Sequence, residues 1–339
     1  MPQIINCFLG KSRGGIEVIT RDYAESCKKL GYKSEILTLK KRNYTHYLSD
    51  SKLKCRFVCS RGLNPLSVLH FIYQLKCSKA DIAFLHGTKA IEFGTHFLTK
   101  LLCPSIRFIG VSHGVISNKY KKLKYLITIT EALKRKAEKL VPLQFVIYNT
   151  TKEQTPNKLS NATTVTIGTC GRDSESKGYP ILLEALSTIK KQGINFKCQF
   201  AGPTDEKYKT LINELDLQDN VEFLGWISDK DSFYEKLDIY CSASILEAFG
   251  LTIIEAMMRR IPVIATDCEG PLEILANGEG IIVPKNNPEK LAEALKRLIT
   301  DTNERTVLAQ RGYDHALQNF NCKNLPEKLN SIIKSVLKK

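Results

Sequence analysis

Ile239-Tyr240-Cys241-Ser242-Ala243-Ser244-Ile245-Leu246-Glu247-Ala248-Phe249-Gly250-Leu251-Thr252-Ile253-Ile254-Glu255 is the segment from which the architecture of this chain can be read. A short apolar run ends at about Ser242, a loop carries Glu247, and a helix begins near Thr252. Another apolar run follows at Pro262–Thr266. Strand, turn, helix and strand in this rhythm predict a parallel sheet with helices on both faces.

The rhythm extends in both directions. Towards the C-terminus, Gly280–Val283 predicts a further strand and Pro288–Thr300 a helix. Towards the N-terminus, strands are predicted at Val165–Cys170, Lys197–Ala201 and Val221–Leu224, with helices at Tyr179–Gln192 and Glu206–Leu215. The first half repeats the pattern: strand Ile4–Leu9, loop Gly10–Gly15, and a helix from Ile16 to Leu30 stopped by Gly31. Ser34–Leu39, Ile82–His86, Arg107–Ser112 and Leu126–Thr130 are its further strands. Between the halves, Asn149–Asn161 is polar and contains Pro156, the composition of a linker. The predicted division is 1–150, a linker at 151–161, a second domain at 162–320, and a basic amphipathic helix within 321–339. That last helix is expected to pack back on the first domain.

Bulk properties agree with two soluble domains. The 339 residues are 43% hydrophobic and 25% charged, and no run approaches the roughly 20 apolar residues of a membrane span. The apolar start at Ile4 reads as a first strand and not as a signal peptide. Eleven cysteines, an odd number mostly inside apolar runs, fit small buried hydrophobes in a reducing cytoplasm better than a disulfide framework. The charge is lopsided. Residues 1–150 carry 26 Lys and Arg against 9 Asp and Glu, a net of +17, whereas the remainder has a net of −2. Such a surplus points to an anionic partner for the first half, or to plain solvated lysines.

Ligands of open parallel sheets bind beyond the carboxyl ends of the strands. There the chain places Glu247, Glu255 and the helix-start amides of Leu251 and Thr252, which suit a diphosphate and vicinal hydroxyls. Thr252 and Glu255 also have the spacing of a capping box, which would make Glu255 structural. The loop Gly168-Thr169-Cys170-Gly171-Arg172-Asp173-Ser174-Glu175-Ser176-Lys177-Gly178 adds two cations, Arg172 and Lys177. It is neither a P-loop nor a dinucleotide fingerprint. Gly14 and Gly15 allow close approach to the first loop, and His86 and His113 each end an apolar strand before a glycine.

Taken in order, these motifs resemble the retaining family 4 glycosyltransferases (glycosyltransferase group 1), which have the GT-B fold of two Rossmann-like domains facing across a cleft. The resemblance covers roughly 165–320 and rests on Glu247 and Glu255 of a Glu-x7-Glu signature. Arg172 with Lys177, Phe223-Leu224-Gly225, Pro262–Ala265 and Gly280–Pro284 add to it. It implies that Arg172, Lys177, Leu251 and Thr252 hold the donor's diphosphate and that Glu255 holds the nucleotide ribose. Glu247 and His113 would contact the transferred sugar, and Gly14 and Gly15 would shape the loop facing donor phosphate and acceptor. It further implies no metal and no cofactor beyond the nucleotide-sugar co-substrate, with UDP favoured over GDP, and front-face displacement with retention. Arg260, where relatives usually have Gly, and Glu269 depart from the pattern.

With the basic first half, the expected activity is hexosyl transfer to a lipid-linked, lipopolysaccharide or polysaccharide acceptor. The expected place is the inner face of the cytoplasmic membrane, with Lys119–Lys124 and Lys134–Lys136 against anionic lipid. Two alternatives are a nucleotide-sugar 2-epimerase of the same fold and a basic nucleic-acid-binding module. No recognition-helix or aromatic-basic pattern supports the latter, so no nucleic-acid partner is expected.

Overall fold

The parallel alternation is realised twice. The computed structural model describes residues 1–10, 15–40, 53–59, 62–157, 164–171, 175–202 and 206–338. The chain divides into two units, Met1–Thr150 with Cys322–Lys339, and Thr151–Asn321.

The first unit holds a seven-stranded sheet of β1 (Gln3–Phe8), β2 (Lys33–Leu39), β3 (Lys54–Val58), β4 (Ile82–His86), β5 (Arg107–Ser112), β6 (Tyr125–Thr128) and β7 (Leu143–Val146). Their order is β3-β2-β1-β4-β5-β6-β7, with every pair parallel. One core contains Val68, Phe71, Ile91 and Phe93 beneath helices Pro65–Ser78 and Gly87–Gly94, and another gathers Phe8, Ala24 and Ile36 beside helix Ile16–Lys29. The C-terminal helix Leu325–Lys338 packs on Ile16–Lys29, where the Tyr32 hydroxyl donates to Asn330 Oδ1 at 2.8 Å. It buries Leu325, Leu329, Ile332, Ile333 and Val336.

The second unit has six parallel strands: β8 (Val165–Cys170), β9 (Phe196–Ala201), β10 (Val221–Gly225), β11 (Ile239–Ser242), β12 (Val263–Thr266) and β13 (Ile281–Val283). They lie in the order β10-β9-β8-β11-β12-β13. Here too successive crossovers leave the loops that follow the strands at one end of the sheet.

Edge strands β3 and β7 escape the sequence reading because Lys54-Cys-Arg-Phe-Val and Leu143-Gln-Phe-Val are short and mostly half-buried, with no strong alternation. Helix Thr302–Asn319 escapes it for a related reason. It buries Arg305, Ala309, Gly312 and Ala316, a helical stripe with little apolar bulk. Arg305 Nη1 donates to the Leu298 and Ile299 carbonyls at 2.7 and 3.3 Å, closing the end of the preceding helix.

The predicted linker is held down over much of its length. Thr151 N–H donates to the Phe320 carbonyl at 2.9 Å, and Asn157 N–H to that of Arg259 at 2.8 Å. Asn157 Nδ2 donates to the Tyr234 carbonyl at 2.7 Å. Its remaining residues, 158–161, lie outside the described residues.

Candidate active site

In the second unit three strand-end loops are sewn together by their backbones. After β8, the turn Glu175–Lys177 offers the Ser176 carbonyl to Ile245 N–H at 2.9 Å and to Leu246 N–H at 3.4 Å. After β12, Gly270 N–H donates to the Glu247 carbonyl at 3.2 Å. The Cys268 thiol donates to the Ser244 carbonyl at 3.1 Å, and Thr266 Oγ1 reaches the same oxygen. Two glycines make the approach possible. Any Cβ at Gly270 would overlap the Phe249 backbone, and one at Gly178, whose φ is 63°, would overlap the Ala243 carbonyl.

This stitching sets the predicted side chains together. Lys177 Nζ donates to Glu247 Oε2 at 2.8 Å, and both side chains are largely buried. Glu247 Oε1 also accepts from Phe249 N–H at 3.5 Å. Helix Leu251–Met257 begins after Gly250, whose φ of 114° turns the chain into it. Leu251 and Thr252 therefore occupy the first turn, where amides have no preceding-turn carbonyl to bond.

The capping-box reading of Glu255 does not hold. The N-cap is Gly250, which has no side-chain bond, so Thr252 lies inside the helix. Glu255 points instead to Lys230 Nζ, at 2.7 and 2.9 Å, and accepts from the Tyr234 hydroxyl at 2.9 Å. Lys230 and Tyr234 belong to a short helix, Lys230–Tyr234, capped by the Asp229 carboxylate. The sequence reading missed both, and the only signal was their position just beyond the β10 strand end. Cys170, at the end of β8, links the two clusters. Burial pushes its thiol up to about 11, Glu255 pushes in the same direction, and Lys230 and Lys177 oppose it. One strand end thus senses both lysines and Glu255. Arg172 lies outside the described residues.

A depression of about 630 Å³ flanks the site, lined by Pro180, Ile181, Lys207 and Leu211 among others, and its described lining includes neither Lys177, Glu247 nor Glu255.

In the first unit, His113 stands just after β5 and stacks on His86 at the end of β4, with ring centroids 5.5 Å apart and an interplanar angle of 23°. His86 Nδ1 lies 3.2 Å from His113 Nε2, and His86 Nε2 lies 3.2 Å from Asn6 Oδ1 on β1. With Asn6 Oδ1 as acceptor, His86 carries its proton on Nε2 and accepts from His113 Nε2–H, which leaves the lone pair of His113 on Nδ1. Burial lowers both pKa values, that of His113 to about 3; the neighbouring His113 adds to the fall for His86. Tyr23 packs edge-on against His86 at 5.0 Å. Gly15 precedes helix Ile16–Lys29 as its N-cap, and Gly14 lies outside the described residues.

The departures from the family pattern have structural readings. Arg260 adopts φ 58° at the end of the signature helix, the left-handed region in which glycine is unstrained. It keeps that geometry with its guanidinium 5.3 Å from the centre of the Tyr313 ring. Glu269 opens helix Glu269–Ile274, where its charge suits the positive end of the helix.

A sequence profile of the glycosyl transferases group 1 matches residues 150–315. The capsular polysaccharide biosynthesis glycosyltransferase CapM of Staphylococcus aureus is 30% identical over 201 residues, which cover 58% of this chain and 52% of that protein. The chain thus spans about half the length of the curated relatives it matches. Among solved structures, a glycosyltransferase of Rickettsia africae superposes with a TM-score of 0.86 at 25% identity, covering 100% of this chain and 99% of that one. Anabaena HepE, in complex with UDP and glucose, gives 0.86 at 18% identity, covering 99% and 100%. The signature loops of the second unit, the two parallel sheets and these likenesses agree: residues 150–315 match the group 1 glycosyltransferases, and the fold is GT-B.

Proposed function

We propose that the chain is a retaining, nucleotide-sugar-dependent hexosyltransferase whose donor binds at the strand ends of the second unit. The observation that carries the reading is the convergence of Lys177, Glu247 and Glu255 on one strand-end surface beside the start of helix Leu251–Met257. Lys177, with Arg172, supplies positive charge for the diphosphate as it leaves, aided by the amides of Leu251 and Thr252. Without ligand, Glu247 balances the Lys177 charge. Donor binding would divide Lys177 between carboxylate and phosphate and leave Glu247 to accept bonds from sugar hydroxyls. Glu255, oriented by Lys230 and Tyr234, retains lone pairs for the vicinal hydroxyls of a ribose. His113 is neutral at physiological pH, and its Nδ1 would accept from a hydroxyl of the transferred sugar.

With cations and amides to balance the leaving group, the reaction needs no metal. The acceptor hydroxyl attacks the anomeric carbon on the face from which the diphosphate departs and gives its proton to the leaving phosphate oxygen, so the anomeric configuration is retained. The donor nucleotide is UDP in this reading, in keeping with the UDP bound by HepE. The acceptor is lipid-linked or a growing polysaccharide, as the name of the staphylococcal relative suggests, and the enzyme acts at the inner face of the membrane.

A thermal-shift panel of UDP, GDP, ADP and their sugar conjugates, without metal, tests the donor site. UDP and UDP-hexose are expected to stabilise the protein by about 2.7 kcal/mol at a hundredfold excess over Kd. Glu255→Ala should abolish the shift. Absence of a shift with every nucleotide would remove the donor-site reading.

A further inference from the structure

Lys230 and Tyr234, the two partners of Glu255, ride on a helix of only five residues, Lys230–Tyr234. So short a helix does not hold itself together in water, because its first turn fixes several residues for one hydrogen bond. Its direction is therefore set by what grips it from outside. The Asp229 carboxylate fixes where it begins. The rest of the grip comes from Arg259, whose side chain is buried just beyond helix Leu251–Met257, the helix that carries Glu255.

One guanidinium joins three pieces. Arg259 Nη1 donates to the Glu255 carbonyl at 3.0 Å, Nη2 pairs with the Asp231 carboxylate, and the group lies 4.7 Å from the centre of the Tyr234 ring. It thus ties the backbone of Glu255 to both the first turn and the last residue of the short helix. Asn157 braces the same two elements: its N–H bonds the Arg259 carbonyl at 2.8 Å, and its Nδ2 the Tyr234 carbonyl at 2.7 Å. Burial holds the Tyr234 phenol well above its ordinary pKa and the Glu255 charge adds to the rise, so the hydroxyl stays protonated and donates.

We infer that Arg259 is a positioning residue of the nucleotide site. It touches no substrate; by fixing Lys230 and Tyr234 it sets the direction in which the Glu255 carboxylate meets the ribose hydroxyls. The inference rests on the reading of Glu255 as the ribose ligand. Without the grip the short helix loosens, Glu255 samples more rotamers, and the hydroxyls find a less pre-organised acceptor. The effect is confined to one part of the nucleotide. In the proposed reading the diphosphate is held elsewhere, by Lys177 and the amides of Leu251 and Thr252, so the loss falls on the ribose.

Calorimetric titration of the full chain with UDP and with 2′,3′-dideoxy-UDP, which lacks both ribose hydroxyls, tests it. Wild type should prefer UDP by about tenfold or more, as expected for a hydrogen bond to a carboxylate. Arg259→Met keeps the apolar stem and should shrink that preference to roughly threefold or less, with little change in binding of the dideoxy analogue. Arg259→Lys, a point charge without the planar fork, should fall between the two. The Asp231 side chain is 63% exposed, so Asp231→Asn should lower the preference at a nearly wild-type Tm, and it carries the test if Arg259→Met does not fold. In a Tyr234→Phe background Arg259→Met should cost less than alone, since both act on one carboxylate. A lowered Tm with the preference intact, or an equal loss for both nucleotides, makes Arg259 purely structural and overturns the inference while the ribose reading of Glu255 stands. Wild type that binds both nucleotides alike sinks that reading and the inference with it.

Discussion

His86 and His113 share one hydrogen bond and are both held neutral by burial, and this has a measurable consequence. In the unfolded chain both would protonate near pH 6.5, so below that value the unfolded state binds more protons than the folded one. The stability this pair contributes is fully present above about pH 6.5 and declines as pH falls toward the lowered folded values, about 3 for His113. A buried neutral histidine adds up to ~1.4 kcal/mol per pH unit to the slope in that window, and the partly open His113 adds less. Denaturant unfolding of His113→Asn should therefore show a shallower fall in stability between about pH 6 and 4 than wild type. Equal slopes would contradict the neutral assignment. In the second unit, Tyr234→Phe removes one bond to Glu255 without changing packing volume. Calorimetric titration with UDP should show an affinity loss of about 0.5–1.5 kcal/mol, the usual net worth of such a bond.

Among elements, the signature helix and its neighbouring loops depend on backbone geometry. Gly270 lets the turn after β12 lie against Phe249, with Gly270 N–H bonded to the Glu247 carbonyl. Gly270→Ala forces the two loops apart and should cost at least about 1–3 kcal/mol of stability, with a weakened nucleotide response because Glu247 moves with its loop. Arg260 tests the opposite case, a left-handed residue that is not glycine. Arg260→Gly relieves backbone strain but gives up the contact with Tyr313 and some unfolded-state order, so Tm should change by no more than about 1 kcal/mol equivalent. Arg260→Val should destabilise more, since a β-branched residue tolerates positive φ poorly.

For the whole molecule, the chain returns at its end to the unit where it began. Leu325–Lys338 buries five apolar side chains in the first unit. At about 1.5–3 kcal/mol for each fully buried side chain, that contribution rivals the total stability of a typical domain. Truncation after Asn321 should therefore unfold the first unit while leaving the second, which ends at that residue, with its nucleotide response. Circular dichroism and the thermal-shift panel on the truncated chain would show whether the losses separate in this way.

Local pattern alone set out most of the architecture and much of the candidate site. Strands such as Ile82–His86, Arg107–Ser112, Val165–Cys170 and Ile239–Ser242 coincide with the apolar runs that announce them, because a buried parallel strand must be apolar on both faces. Glu247, Glu255 and Lys177 were legible because family spacing and strand ends are properties of adjacent residues. Tertiary structure alone settled what depends on contacts between distant residues. It took Glu255 out of a capping box and gave it Lys230 and Tyr234, more than 20 residues earlier in the chain. It joined Asn6, His86 and His113 from three neighbouring strands into one hydrogen-bonded row. Edge strands β3 and β7 and the helix Thr302–Asn319 became visible only there, since hydrogen-bonded pairing and close contact at small residues hold them with little apolar signal. The reason is common to all of these: periodicity records which side of an element is buried, whereas the identity of what buries it is fixed only when the crossovers bring remote segments together.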